Sequence, residues 1–359
     1  MTAVEKWRVL VVDDSALMRK VLKKIIESDP SFEVIDTARD GEDAVEKARA
    51  LRPDVVTMDV NMPRMDGLTA LQIIVEEAIA PVVVVSSLTQ DGAVTTFEAL
   101  ELGAFDCVAK PGGTVSPNLH LVQRELLEKL KAACQASRRG RALRKLAERR
   151  VLPHVAREVP SRKAPAAPFF AVAIGISTGG PKTIYDVLPY LPADLNAAVF
   201  LVQHMPPTFT RSYAERLNNY CALEVVEAEN GMEVEPGVVY VGKGGYHLKV
   251  ESQGERLAIR LSTIPKHMFM PSVDVMMLSV LEVFGERTVG VLMTGMGDDG
   301  AEAMVKIRRS GGYTIAESEE TAIVFGMPQE AIARGGAEVV LPSYRIHEAI
   351  VKKVGVRKG

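Results

Sequence analysis

One stretch of the chain indicates the fold of its second half: residues 169–181 read Phe-Phe-Ala-Val-Ala-Ile-Gly-Ile-Ser-Thr-Gly-Gly-Pro. The apolar run at its start is typical of a strand that is buried on both faces of a parallel sheet. The glycines that follow permit a tight turn from strand to helix with backbone amides exposed at the start of the helix. Ser177 lies in this turn, where neighbouring amides could reach a developing oxyanion and the serine could act as a nucleophile.

Two other islands of polar residues and glycines also follow apolar, strand-like runs. They are Gln203-His204-Met205-Pro206-Pro207 and Thr294-Gly295-Met296-Gly297-Asp298-Asp299-Gly300. A right-handed crossover would place the strand before His204 next to the strand before Ser177, at the same edge of the sheet. Serine, histidine and aspartate at three strand ends could form a hydrolytic triad. The residue pattern alone leaves open whether Asp298 or Asp299 is the acid.

Two other interpretations of the serine turn are considered. The glycines of residues 175–180 also suit a loop that binds phosphate. Residues 175–179 match the Gly-x-Ser-x-Gly turn of α/β-hydrolases, whose chain order of serine, acid and histidine would pair Asp299 with His347. His347, however, lies in an amphipathic terminal stretch after Pro342, which favours a solvated or packed histidine.

Composition limits the classes of partner. A net charge of −3 predicts no bulk attraction to nucleic acid or membrane. The first eight residues do not resemble a signal peptide, and no apolar run approaches the roughly 20 residues of a spanning helix. The three cysteines, Cys107, Cys134 and Cys221, are far apart and form no CxxC pair. They predict free thiols in a reducing, cytoplasmic location.

The pattern of strands and helices predicts two α/β domains. Residues 1–134 alternate five strand candidates with helical stretches, which indicates a five-stranded parallel sheet. Residues 135–167 are rich in arginine, lysine and proline and predict a linker, since no feature of a nucleic-acid arm accompanies them. Residues 168–359 predict a doubly wound, mostly parallel sheet with a short antiparallel insert near 224–261.

The amino-terminal half places acidic residues at strand ends. Asp13 and Asp14 follow the first strand candidate, Asp59 ends the third, Ser86 ends the fourth, and Lys110 follows the fifth. These strand ends converge on one crevice of a parallel sheet. Carboxylates so close together repel one another unless a hard divalent cation lies among them, so a Mg²⁺ site is predicted. A lysine opposite them could neutralise a phosphoryl group taken up by one carboxylate.

This constellation resembles the receiver domain of bacterial response regulators, which has a flavodoxin-like fold. The segment Val56-Thr57-Met58-Asp59-Val60-Asn61-Met62-Pro63, followed by Met65-Asp66-Gly67, is similar to that family's phosphorylation site. The resemblance implies these roles: Asp59 as phosphoacceptor, Asp13, Asp14 and the Asn61 backbone carbonyl as Mg²⁺ ligands with it, and Ser86 and Lys110 as contacts of the phosphoryl group. Cys107 stands where receivers commonly carry an aromatic residue.

The second half resembles the protein-glutamate methylesterase family of bacterial chemotaxis. The similar segments are Ser177–Gly180, His204–Pro206, Pro271–Val275, Thr294–Gly300 and Gly326–Pro328. The resemblance implies a triad of Ser177, His204 and Asp299, with Thr178 and Met296 lining the site and the Met296 amide binding the oxyanion. The chain departs from the family at Phe269 and Met270, where basic residues are common, and at Lys243, in a segment that commonly has a proline-glycine turn.

The same resemblance implies a function. It predicts hydrolysis of glutamate methyl esters on chemoreceptors and deamidation of glutamines, in the adaptation of chemotaxis. No cofactor is expected for the esterase reaction. The predicted partners are methylated chemoreceptors as substrates and a chemotaxis histidine kinase as phosphodonor. Phosphorylation of the receiver, which is expected to cover the catalytic cleft, should raise the esterase activity.

Overall fold

The computed structural model describes residues 6–87, 90–111, 119–138, 168–254 and 256–357. The chain divides into two compact units, residues 1–150 and 151–359. Residues 135–138 of the predicted linker continue a helix, and residues 139–167 lie outside the described residues. The predicted domain limits at 134 and 168 therefore stay predictions.

The first unit is built on a sheet of five parallel strands in the order β2-β1-β3-β4-β5. The strands are β1 (Trp7–Val12), β2 (Phe32–Ala38), β3 (Val55–Met58), β4 (Val82–Ser86) and β5 (Asp106–Ala109). The helices are α1 (Ala16–Glu27), α2 (Gly41–Leu51), α3 (Gly67–Glu76), α4 (Gln90–Leu102) and α5 (Leu119–Arg138). The predicted flavodoxin-like arrangement is confirmed.

Polar side chains fix where three helices of this unit begin. Ser15, Asp40 and Asp66 each precede a helix and accept a hydrogen bond from an amide in its first turn. Such caps satisfy donors that the helix itself cannot pair. The caps of α1 and α3 lie beside the strand ends that carry Asp13 and Asp59, so they help to fix the loops of the acidic crevice.

Cys107 is buried within β5, and its carbonyl accepts a hydrogen bond of 2.6 Å from Lys129 Nζ on α5. Lys129 is itself buried and lies 3.0 Å from an oxygen of Asp106 and 2.9 Å from one of Glu125. Burial raises the pKa of the Cys107 thiol to about 12. The position that is commonly aromatic in receivers therefore holds an unreactive thiol beside a buried ionic cluster.

The second unit is built on seven parallel strands in the order β14-β13-β12-β6-β7-β9-β8, with a separate antiparallel pair β10-β11. The strands are β6 (Phe170–Ile176), β7 (Ala197–Gln203), β8 (Glu224–Glu227), β9 (Val238–Val241), β10 (His247–Gln253), β11 (Arg256–Ser262), β12 (Thr288–Leu292), β13 (Tyr313–Glu317) and β14 (Val339–Leu341). The helices are α6 (Gly180–Thr183), α7 (Thr210–Asn218), α8 (Val273–Phe284), α9 (Ala301–Arg309), α10 (Met327–Ala333) and α11 (Ser343–Val354). The predicted mostly parallel sheet with a short antiparallel insert is confirmed.

Two details differ from the sequence-based expectation. The antiparallel insert consists of β10 and β11 alone, because β8 and β9 join the large sheet in parallel. The helix expected after Ser177 is the four-residue α6 followed by two 3₁₀ turns. Pro189 lies in the second of these turns and cannot continue an α-helix, because its ring removes a backbone donor. Within the described part of the chain, no helix has the length and apolar character needed to span a bilayer.

Candidate active site

The three polar islands of the second unit meet at one edge of the sheet. The strands β12, β6 and β7 are neighbours, with Leu292 paired to Gly175 and Ile176 paired to Gln203. Ser177 follows β6 and His204 follows β7, so the two residues leave adjacent strands at the same level. Asp299 lies in the loop from β12 to α9. The sheet order thus gathers three residues at one carboxyl edge, although His204 and Asp299 are 95 positions apart in the chain.

The side chains of Ser177, His204 and Asp299 form a continuous hydrogen-bonded path. Ser177 Oγ lies 3.0 Å from His204 Nδ1, and His204 Nε2 lies 2.8 Å from Asp299 Oδ2. A carboxylate can only accept, so Nε2 carries the proton and Nδ1 of the neutral ring is free to accept from the serine. This is the geometry in which an imidazole can remove the proton of a serine hydroxyl.

Asp299 is held by the start of α8. Its carboxylate accepts hydrogen bonds from the amide of Val273 at 2.7 Å, the amide of Asp274 at 3.0 Å and the hydroxyl of Ser272 at 2.8 Å. Burial alone would raise the pKa of Asp299, but the hydrogen bond and charge of His204, with the two amides, lower it to about 2. Asp299 is therefore an anion at any pH at which the protein would work.

The structure distinguishes the two neighbouring aspartates and the two histidines. Asp298 is 63% exposed and lies 2.7 Å from Nη2 of Arg334, on the solvent side of the loop. His347 lies on α11 and stacks on Tyr190, with 5.0 Å between the ring centroids. Since Asp299 contacts His204, the alternative that pairs Asp299 with His347 is not supported by the geometry.

The backbone of two glycine-containing loops packs closely around Ser177. Gly179 has a φ of +77°, which allows the chain to turn back at once after Thr178. Gly295 packs so closely that a Cβ on it would lie 2.8 Å from Cβ of Ser177. Among the described residues, the amides of Thr178 and Met296 donate to no protein group, whereas the Ser177 amide donates to Thr294. Two free donors therefore lie in the two loops that pack together at Ser177.

The structure adds residues that the sequence did not assign. Buried Gln203 donates from Nε2 to the carbonyls of both Ser177 and His204, each at 3.0 Å. Phe269 stacks on the His204 ring at 4.1 Å between centroids. Ser272 and Asp274 belong to a segment noted for its resemblance, but their contacts could not be foreseen. No spacing rule in the sequence links these residues to Ser177, so only the folded structure reveals their place in the site.

Of the other departures from the family, Lys243 follows β9 and lies 3.4 Å from Oε2 of Glu227 at the end of β8. The same carboxylate accepts a hydrogen bond of 2.6 Å from Thr210. Lys243 is therefore a partly exposed cation that already forms an ion pair with Glu227. Met270 is half-buried, and its carbonyl accepts from the amide of Gly245.

The acidic residues of the first unit also converge at one crevice. Oxygens of Asp13, Asp14 and Asp59 lie within 4.8 Å of one another. Lys110 Nζ lies 2.9 Å from Asp13 Oδ2 and 2.8 Å from Asp59 Oδ2. Ser86 is buried at the end of β4, and Asn61 is exposed two residues after Asp59. The structure therefore brings together the carboxylates and lysine that were predicted for this site.

Electrostatics of this crevice fit a divalent cation. Burial raises the pKa of Asp59, Lys110 opposes that effect, and the charge of Asp13 adds to it. Burial would lower the pKa of Lys110, but its contacts with Asp59 and Asp13 raise it. The site therefore has excess negative charge on hard oxygen donors, which is the donor set that Mg²⁺ prefers.

Comparison with known proteins assigns each unit to a family. The model of the CheB methylesterase family matches residues 172–350, and that of the response regulator receiver domain matches residues 9–116. A protein-glutamate methylesterase/protein-glutamine glutaminase of Syntrophomonas wolfei is 60% identical over 97% of this chain and 99% of its own length. The chain belongs to the CheB methylesterase family.

Other relatives extend the match within the CheB methylesterase family. The protein-glutamate methylesterase/protein-glutamine glutaminase of Caldanaerobacter subterraneus is 54% identical, over 98% of this chain and 97% of its own. The crystal structure of the Thermotoga maritima CheB methylesterase catalytic domain is 40% identical and is covered completely by 52% of this chain, with a TM-score of 0.51. The second unit thus has the fold of a known CheB catalytic domain.

Proposed function

We propose that this chain is a phosphorylation-regulated protein-glutamate methylesterase that hydrolyses glutamyl methyl esters on chemoreceptors. The observation that carries the proposal is the path from Ser177 through His204 to Asp299, with distances of 3.0 and 2.8 Å. The names of the relatives at 60% and 54% identity support the substrate class. The same relatives are named glutaminases, which supports deamidation of receptor glutamines at the same site.

Acylation would begin with attack of Ser177 Oγ on the ester carbonyl, while His204 Nδ1 takes the hydroxyl proton. Asp299 accepts from Nε2 and stabilises the imidazolium that forms. The free amides of Thr178 and Met296 would bind the oxyanion of the tetrahedral intermediate. When that intermediate collapses, the imidazolium gives its proton to the departing methoxide, so methanol leaves and an acyl-serine remains.

Deacylation would repeat these steps with water. His204 removes a proton from water as its oxygen attacks the acyl carbonyl, and the proton returns to Ser177 Oγ as the glutamate is released. A glutamine substrate would follow the same route with ammonia as the leaving group. Every proton in this scheme passes through His204, and the proposed esterase reaction uses neither a metal nor an organic cofactor.

The receiver would supply the regulation. Asp13, Asp14, Asp59 and the backbone carbonyl of Asn61 would hold Mg²⁺, which when bound neutralises negative charge at the phosphoryl group. Asp59 would accept the phosphoryl group from a chemotaxis histidine kinase. The remaining contacts of the phosphoryl oxygens would come from Lys110, which already lies 2.8 Å from Asp59, and from the hydroxyl of Ser86.

The setting of the reaction is part of the proposal. Methylated chemoreceptors would be the substrate, and a chemotaxis histidine kinase would be the phosphodonor. We place the enzyme in the cytoplasm because Cys107, Cys134 and Cys221 are buried thiols that form no disulfide bond, as is usual in a reducing compartment.

The proposal is tested by methanol release from a purified, methylated chemoreceptor signalling fragment, with acetyl phosphate and Mg²⁺ present. Ser177→Ala should lose on the order of 10⁴- to 10⁶-fold in turnover, because the members of a triad act as a unit. Ser310→Ala, an exposed serine of the same unit, is the matched control and should keep the rate of the unmodified chain. Methanol release by Ser177→Ala near the original rate would show that another residue is the nucleophile.

A further inference from the structure

In the segment that connects β11 to α8, Phe269 lies against the face of His204. The Phe269 and His204 rings are almost parallel, with 9° between their planes and 4.1 Å between their centroids. At this spacing the rings are in contact, so no water molecule fits between them. One face of the imidazole is therefore covered by a hydrocarbon ring, while its two nitrogens point at Ser177 and Asp299.

His247 anchors this segment at both ends. Its Nε2 donates to the carbonyl of Pro265 at 2.8 Å, and its Nδ1 accepts from the amide of Ser272 at 3.2 Å. The ring is fully buried at the first position of β10, and burial is the main cause that lowers its pKa. A neutral histidine offers one donor and one acceptor, which is what these two contacts require.

A further contact fixes the middle of the segment. The amide of Gly245 donates to the carbonyl of Met270 at 2.9 Å, directly after Phe269. Residues 265–272 are thus tied to the start of β10 at three points, and Ser272 also donates to Asp299. The same short segment therefore contains Phe269, whose ring covers His204, and Ser272, which donates to the carboxylate that orients His204.

We propose that Phe269 is a positioning residue for His204, held in place by the His247 anchor; this inference rests on the proposed esterase function. The hydrogen bonds at Nδ1 and Nε2 lie in the plane of the imidazole and restrain its tilt only weakly. A ring in contact with its face restrains that tilt directly. The face of an aromatic ring also attracts a cation, so the contact strengthens once His204 has taken the proton.

This role matters most after acylation. Ser177 Oγ is then part of an ester and has no proton to share with Nδ1. During deacylation the imidazole would be held by Asp299 at one edge and by Phe269 on its face. Loss of the phenyl ring should therefore lower kcat without raising KM, because the substrate need not touch Phe269 to bind and slower deacylation does not raise KM.

The test uses the full chain and the methylated receptor fragment, with kcat and KM determined separately. Phe269→Leu removes the flat ring but keeps an apolar side chain, and it should lower kcat on the order of 10- to 100-fold. Phe269→Tyr restores the ring and should recover most of kcat. Met268→Ala, an exposed neighbour in the same segment, is the control and should keep the kcat of the unmodified chain.

Three outcomes would overturn the inference. They are a Phe269→Leu variant with unchanged kcat, one in which the loss is confined to KM, and a Phe269→Tyr variant as impaired as Phe269→Leu. Thermal unfolding of each variant shows whether it is folded, and if Phe269→Leu is not, Phe269→Met takes its place with the same expected loss. Inactivity of the unmodified chain would instead contradict the proposed function.

Discussion

At the scale of single residues, Asp299 carries two tasks. It accepts from His204 and also from two amides and a hydroxyl at the start of α8. Four donors converge on one buried carboxylate, and only an anion can accept from all of them without turning a proton toward a donor. Its neighbour Asp298 has an exposed partner, Arg334, and no contact with the histidine. Asp298 and Asp299 have the same side chain, but their different surroundings allow only Asp299 to orient His204.

Substitution of these two residues by asparagine should therefore have unequal effects. Asp299→Asn would replace one acceptor oxygen by an amino group that faces N–H or O–H donors, and it should lower kcat on the order of 10⁴-fold, as loss of the triad acid does elsewhere. Asp298→Asn, the matched control, should change kcat by less than about threefold, because it loses only an exposed ion pair. Methanol release measured for both variants checks this, and the reverse ranking would assign the acid to Asp298.

Sequence could predict part of this site. Ser177 and His204 follow long apolar runs, so their location at neighbouring strand ends could be predicted from buried parallel strands. The roles of Gln203 and Phe269 could not, since they depend on side-chain contacts that no local pattern encodes. The choice of Asp299 over Asp298 came from resemblance, because adjacent loop residues differ only in where the folded loop points them.

At the scale of elements, α8 and α9 cap each other. Asp299, just before α9, accepts from the amides of residues 273 and 274 at the start of α8. Asp274, in the first turn of α8, accepts from the amide of Ala303 at 2.8 Å in the first turn of α9. Each helix start thus provides the carboxylate that the other needs, which is favourable both for hydrogen bonding and for the helix dipole.

We expect Asp274→Ala to lower the stability of the second unit by about 1–2 kcal/mol, because a partly buried cap is lost. For a unit of this size, that corresponds to a fall in Tm of about 2–8 °C. Asp274→Asn keeps an oxygen that can accept from Ala303, so its loss of stability should be less than half of that caused by Asp274→Ala. Scanning calorimetry of the three proteins measures these differences. Equal Tm values would mean that the reciprocal caps contribute nothing to stability.

Strands can be predicted from the sequence where their hydrophobic pattern is strongest. The strands β6, β7 and β12 are buried along almost their entire length and were predicted from their apolar runs. The three-residue β14 was not predicted, because so short a strand has no periodicity. The parallel pairing of β8 and β9 was also missed, since strand direction is set by the long-range path of the chain and not by the residues within the strands.

At the scale of the whole molecule, the chain combines a receiver with an esterase unit. In the receiver, Lys110 pairs with both Asp13 and Asp59. A phosphoryl group on Asp59 would add roughly 1.5 to 2 negative charges, so these pairs must rearrange. A change of this kind in a family that joins the two domains suggests that esterase activity responds to the receiver.

We therefore expect acetyl phosphate with Mg²⁺ to raise the rate of methanol release by the full chain. Asp59→Asn should abolish this response and leave the basal rate unchanged, because Asp59 is the proposed phosphoacceptor and is not part of the esterase triad. A chain that lacks residues 1–140 should be active without a phosphodonor. If neither the phosphodonor nor the deletion alters the rate, the receiver serves another purpose, such as localisation.

The hydrogen bonds from the start of α8 to Asp299 have a consequence for how this protein tolerates mutation. A survey that scores variants only by the amount of protein that accumulates in cells should mark position 299 as intolerant, together with the apolar core. Position 177 should tolerate alanine in the same survey, since among the described side chains the Ser177 hydroxyl forms a hydrogen bond with His204 alone. Protein abundance alone would then show that Asp299 is needed for stability, whereas the hydroxyl of Ser177 is not.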